Sequence, residues 1–348
     1  MINFKTSVSA VAAAVFLAAC GGGSGGGTAS ISPVSTVPPV STPTPPVVTP
    51  GNLQTSVPAL TYTSTSAEFA FVTAFNNFRQ QMGLGLVAQN PLLDKSAQNH
   101  LDYVLVNDVR KGGTVDMSLF DPNTGRPMFH IEQTDKPNFT GVQEIDRAKA
   151  VGYPGAYVGE EGAFGGGKGG VVAFDSLSGT IYHRVGLMLQ SVRDVGIAVG
   201  TDASQTFTLE IGWQSPQSNA SDFVGVYPVD GQTGLGLFTR VETPNPFPDL
   251  STANADFPTK TGYPVSIVVK ESTPLEVSTF TITEQGAAAP LEARLMTSAN
   301  DPNRYLPGNV AFLVAKGTLK PNTTYVVSFS GRTNNGALTK TWKFTTGT

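Results

Sequence analysis

Reactive side chains are scarce in this chain. Its 348 residues include three histidines, His100, His130 and His183, and one cysteine, Cys20. Imidazoles beside a carboxylate have two chemical uses. They are the ligand types that suit zinc with an open coordination position, and they serve as general acid and base in hydrolysis. The fixed-spacing signatures of other chemistries are missing. There is no His-Glu-x-x-His and no Gly-x-Ser-x-Gly elbow, and the sole thiol lies in an apolar N-terminal stretch. The glycine-rich run GEEGAFGGGKGG (159–170) is not a phosphate loop, because Gly169 rather than Ser or Thr follows Lys168. It reads as a mobile loop.

The elements that must position the histidines come first in the folded part. Thr65 and Glu68 form a capping box, followed by Phe71, Phe75, Phe78 and Met82 at helical spacing, with Gly83 as the stop. Asn90-Pro91 starts a second helix, Asn as cap and Pro at its first position, with Leu93, Ala97, Leu101 and Val104 on one stripe. His100 falls on that apolar stripe and reads as a packed, hydrogen-bonded structural histidine. A third helix runs from about Thr140 to Gly152 and a fourth from about Val171 to Gln190. His130 sits in a loop outside any periodic pattern, whereas His183 lies near the middle of the fourth helix. The period then changes: residues 194–199 read as a short strand, and Phe207, Leu209, Ile211 and Trp213 alternate with polar or small residues. Helices followed by an antiparallel pair predict an α+β sandwich.

The order of motifs in this region resembles the CAP superfamily, which groups cysteine-rich secretory proteins, antigen 5 and plant pathogenesis-related proteins. The motifs are the helix with Asn76 and Arg79, then NPLLDKSAQNH (90–100), HIEQTDKPNFTG (130–141), DRAKAVGY (146–153), GEE (159–161), YHR (182–184) and VGIAVG (195–200). The resemblance implies an α-β-α sandwich with a central antiparallel sheet and a cleft lined by His and Glu. It places His130 and His183 as the two cleft imidazoles and Glu160 as the acidic residue, with Glu161 as the fallback because it stands where the family usually has Asn. On a strand the two glutamates would point to opposite faces, so only one would enter the cleft. His130, Glu160 and His183 together would hold a divalent metal such as zinc, or activate water. The family's second acidic residue has only the shorter Asp175 as a counterpart.

Residues 1–19 have the positive, apolar and small-residue pattern of a secretory signal peptide. Leu17-Ala18-Ala19-Cys20 resembles the lipobox of bacterial lipoproteins, which implies lipidation of Cys20 and a membrane anchor. No Asp follows Cys20, which by the usual sorting rule implies the outer membrane. Residues 20–62, rich in Gly, Ser, Pro and Thr, cannot bury a core and read as a tether. Residues 63–216 form the CAP-like domain and 217–249 a Pro/Gly connector. Residues 250–348 form an all-β, Ig-like sandwich, with strands at PVSIVVK, VSTFTIT, LEARLM, AFLVA, TTYVVSFS and KTWKFTT and a tyrosine corner ending at Tyr325. That second unit carries no titratable cluster and reads as a spacer or adhesive module.

The balance of 22 Lys and Arg against 26 Asp and Glu gives no electrostatic footprint for nucleic acid. A single cysteine excludes a disulfide framework. Two function classes follow: a binding protein whose cleft takes a small-molecule or cell-envelope ligand, and a peptide or envelope-polymer hydrolase using the same residues. The lack of a nucleophile motif favours binding.

Overall fold

A computed structural model describes residues 48–164 and 168–348. Cys20, the signal segment and most of the tether lie outside the described residues, as do the three central glycines of the 159–170 run. No described helix is long and apolar enough to cross a membrane.

The N-terminal half is built from α1 (Ala67–Gln81), β1 (Ala88–Gln89), α2 (Pro91–Asn107), α3 (Glu144–Ala150), β2 (Tyr157–Phe164), α4 (Gly170–Ser178), α5 (Tyr182–Leu187), β3 (Asp194–Val199) and β4 (Thr206–Trp213). The strands form one sheet in the order β1-β3-β4-β2, antiparallel except for the short β1–β3 pair. Helices α2 and α3 cover one face, and α1, α4 and α5 the other. Helix α1 starts one residue later than the capping box predicts: Ser66, not Thr65, accepts from the Phe69 N–H at 3.2 Å. Its Phe71, Phe75 and Phe78 are buried, each contributing about 1.5–3 kcal/mol by leaving water. Asn90 and Pro91 cap α2 as their spacing predicts.

The fourth helix differs from expectation. It is two helices, broken at Gly179–Ile181. The Thr180 hydroxyl turns back to the Leu177 carbonyl at 2.6 Å, and the Arg184 guanidinium takes the Ser178 carbonyl at 2.5 Å. His183 therefore lies in the first turn of a new six-residue helix, where backbone N–H groups lack intrahelical partners.

The C-terminal half contains β5 (Val224–Tyr227), β6 (Gln232–Leu235), α6 (Asp256–Lys260), β7 (Val265–Val269), β8 (Glu276–Glu284), β9 (Ala293–Thr297), β10 (Val310–Ala315), β11 (Thr324–Thr333) and β12 (Gly336–Thr346). Two four-stranded sheets result, β5-β7-β10-β9 and β6-β12-β11-β8. Strands β7 to β12 coincide with the six β-like segments read from the sequence. The Tyr325 hydroxyl accepts the Lys320 N–H at 2.9 Å, the hydrogen bond of a tyrosine corner.

Residues 217–249 are more than a connector, since they supply β5 and β6 to these sheets. One hydrophobic core also runs without interruption from Phe71 and Phe174 through Tyr227 and Tyr263 to Phe312 and Phe344. The buried ring pair Phe78–Tyr227, with centroids 4.8 Å apart, shows how closely the two halves interlock.

Candidate functional site

Strand β2 carries Glu160 and Glu161, and the strand's alternation sends their side chains to opposite faces. Both nevertheless serve the site, which differs from the expectation that only one would. Glu160 Oε1 is 2.9 Å from His130 Nδ1, and Glu161 Oε2 is 2.5 Å from His183 Nδ1. In each pair the imidazole donates its Nδ1–H to the carboxylate, which fixes the tautomer and leaves Nε2 without a protein partner among the described residues. His130 and His183 both line one cleft of about 280 Å³, together with Phe129, Phe164, Leu177 and Glu242.

Each pair depends on close approach at a glycine. His130 ends a one-turn 3-10 helix, Met128–His130, whose Phe129 ring lies against Gly162 of β2. A Cβ at Gly162 would sit 2.2 Å from that ring. On α5, a Cβ at Gly186 would sit 1.8 Å from Glu161 Oε1. The Glu161 carboxylate therefore reaches His183 through space that only glycine leaves open.

Behind His130 lies a polar network sealed from solvent. Arg147 on α3 donates to Glu160 Oε2 at 2.5 Å and to the His130 carbonyl at 3.3 Å. His100 is fully buried, as its place on the α2 stripe predicts, but it does not pack apart from the site. Its Nε2 donates to the Phe129 carbonyl at 2.8 Å and lies 3.3 Å from Glu160 Oε1, while its Nδ1 meets Glu132 Oε1 at 3.0 Å. Across the sheet, Glu160 pairs in register with Glu210 of β4, whose Oε1 accepts from the Ser96 hydroxyl at 2.8 Å. Burial pushes the Glu160 carboxyl up, but Arg147, His100 and His130 more than reverse this and hold it well below the usual carboxylate range. Glu210 goes the other way: burial, then the negative charge of Glu160, raises it well above that range. The environment thus favours the charged form of Glu160 and the neutral form of Glu210.

On the other face, burial disfavours the charged form of His183. Glu161, with a smaller push from Glu242, outweighs that and raises its pKa. The Glu242 carboxyl is itself raised by burial, partly offset by His183 and by three backbone N–H groups.

The expected three-ligand centre of His130, Glu160 and His183 does not form. No group of three His, Cys, Asp or Glu side chains among the described residues is arranged to hold a metal ion. Strand geometry is the reason. Glu160 faces α3 and spends both oxygens on Arg147, His130 and His100, while the carboxylate that reaches His183 is Glu161. Asp175, the counterpart suggested for a second acidic residue, is not among the cleft residues; burial raises its carboxyl, with Arg240 opposing.

Sequence reading does not single out Glu132, Arg147, Glu210 or Glu242. Glu210 sits on the polar side of an alternating strand and looks solvent-facing. The available signal is the α-β-α sandwich that the resemblance implies, which covers both faces of the sheet, so a charge on either must be paired.

No family model matches this sequence, and no curated protein does. The resemblance to the CAP superfamily therefore rests on the motifs themselves. Among solved structures, an outer surface protein from Borrelia burgdorferi is similar to this chain. It is 12% identical, the match spans 44% of this chain and 96% of that one, and the TM-score is 0.32. A likeness at that score carries no argument about function.

Proposed function

We propose that this chain is a lipid-anchored binding protein of the bacterial envelope, held through Cys20, whose cleft takes a small ligand bearing a carboxylate beside an apolar group. The observation that carries this reading is the pairing of both cleft imidazoles with a carboxylate through Nδ1, which leaves Nε2 as the group offered to a ligand. The raised pKa of His183 favours the imidazolium, so its Nε2–H donates to an oxygen acceptor. Arg110, whose guanidinium is held by Asp108 at 2.8 Å, lines the same cleft, while Phe129, Phe164 and Leu177 supply apolar wall. An acidic head with an apolar flank fits this combination.

The hydrolase alternative draws on the same imidazoles, because a base held by a carboxylate is the arrangement of general-base catalysis. It lacks a nucleophile. Of the cleft hydroxyls, those of Ser118, Ser176 and Thr180 donate to Asp116, the Ala173 carbonyl and the Leu177 carbonyl, and neither these nor that of Thr243 is hydrogen-bonded to an imidazole. Hydrolysis would have to proceed by direct activation of water.

The test uses benzoate and benzylamine, which share a ring and differ in the sign of charge. Benzoate should shift the ring resonances of His130 and His183 in NMR titrations, and its affinity measured by calorimetry should fall sharply in His130→Ala/His183→Ala. Benzylamine should bind much more weakly. Equal binding of the two probes, or benzoate binding untouched by the double substitution, overturns the reading. Zinc titrated in parallel tests whether two imidazoles without a shared carboxylate retain a metal.

A further inference from the structure

We infer that the cleft belongs to both halves of the chain, with Glu242 as the positioning residue that sets His183. This deepens the binding reading above and rests on it for its functional meaning. Helix α5 has six residues, too few to hold its own shape or direction in water. Arg79 and Glu161 hold it from the N-terminal half, and its first three residues are also held from beyond residue 216.

The Glu242 carboxylate, 4% exposed, accepts the N–H groups of Ile181 and Tyr182 at 2.8 Å each and that of His183 at 3.3 Å. No side chain at the helix's own N-cap satisfies them. Glu242 is in turn fixed by its own segment. The Arg240 N–H donates to the Gly179 carbonyl at 3.0 Å, and Thr239 bonds to Thr261 and to the Gly262 carbonyl. Val241, Glu242 and Thr243 all line the cleft, so the segment that anchors the helix is also part of the binding wall.

The residues flanking His183 are plugged into the C-terminal half as well. The Tyr182 hydroxyl donates to Asp301 and accepts from Asn303 at 3.0 Å. The Arg184 guanidinium, fully buried, donates to the Pro264 carbonyl at 2.7 Å and lies over the rings of Tyr227 and Tyr263 at 4.8 and 5.2 Å. Residues 182, 183 and 184 thus each take a fixed partner from the C-terminal half. The β-sheet unit is on this account a structural component of the cleft rather than a spacer, and ligand binding and docking of that unit stabilise each other.

Full-length Glu242→Ala and Glu242→Gln test this, read by the ring resonances of His183 and His130 assigned with His183→Ala and His130→Ala. Glu242→Ala should move the His183 signals, leave those of His130 in place, and weaken benzoate about tenfold. Glu242→Gln keeps an oxygen that accepts N–H and should recover most of both effects. Unmoved His183 signals in a folded Glu242→Ala overturn the proposal, as does an equal shift at His130. Should Glu242→Ala fail to fold, Glu242→Gln and Tyr182→Phe decide it: each must shift His183 selectively by a smaller amount, and no shift in either refutes the positioning role. If wild type ignores benzoate, the binding reading falls while the ring shifts still judge Glu242.

Discussion

Glu160→Gln separates the charge of the buried carboxylate from its shape. The amide oxygen can still accept the His130 Nδ1–H, but the fully buried Arg147 then faces a neutral group. Removing one partner of a buried ion pair costs about 3–5 kcal/mol at neutral pH. The pH dependence is the sharper test. Wild-type Glu160 stays ionised far into acid, because its buried cationic neighbours outweigh the cost of burial, whereas in the unfolded chain it takes up a proton near the ordinary value of 4.5. Its contribution to stability is complete above that value and is lost as the pH falls toward the native one. A proton taken up only by the unfolded chain costs about 1.4 kcal/mol per pH unit, so about 2 kcal/mol has gone by about pH 3. Glutamine has no proton to take up. In urea denaturation between neutral pH and about pH 3, the stability gap between wild type and Glu160→Gln should therefore narrow by about 2 kcal/mol. A gap that stays constant over that range would refute the reasoning, since it would mean that Glu160 titrates as in the unfolded chain.

Gly186→Ala places a methyl group where Glu161 passes, so the His183 titration midpoint in NMR should fall below its raised wild-type position; an unchanged midpoint rules out Glu161 as the cause. Because that midpoint is raised, the stability from the Glu161–His183 pair is complete below about pH 6.5 and fades as pH rises through the native value, and His183→Ala should flatten this part of the profile. Tyr325→Phe removes the acceptor of the Lys320 N–H and should cost about 1 kcal/mol in chemical denaturation, with no change at the cleft. Cys20→Ser should shift the protein out of the detergent phase; unchanged partitioning defeats the lipid-anchor proposal.

Legibility follows the range of the interaction. Asn90 and Pro91 announce α2 because a cap and its helix are neighbours in sequence, and β7 to β12 are legible because each is a short β-prone run bounded by turn residues. The break at Gly179–Ile181 is not, since the carboxylate that makes a new helix start favourable at Tyr182 arrives from Glu242, about sixty residues later. The same distance hides the polar network. Arg147 lies in an unremarkable helical string, and only the folded chain shows its guanidinium against Glu160. The histidines are legible by scarcity and by motif order, whereas their carboxylate partners depend on which face of a strand each glutamate takes.

That alternation has a consequence for how the chain can vary. Two adjacent residues of β2 each hold a different imidazole, so the strand's register is specified chemically as well as by its hydrophobic pattern. Inserting or deleting one residue between Tyr157 and Glu160 would turn both glutamates to the wrong sides, setting Glu160 toward α5 and Glu161 toward Arg147. A change of two residues would restore the parity but move the carboxylates about 7 Å along the strand, beyond reach of either ring. Length variation is therefore barred from this stretch of β2.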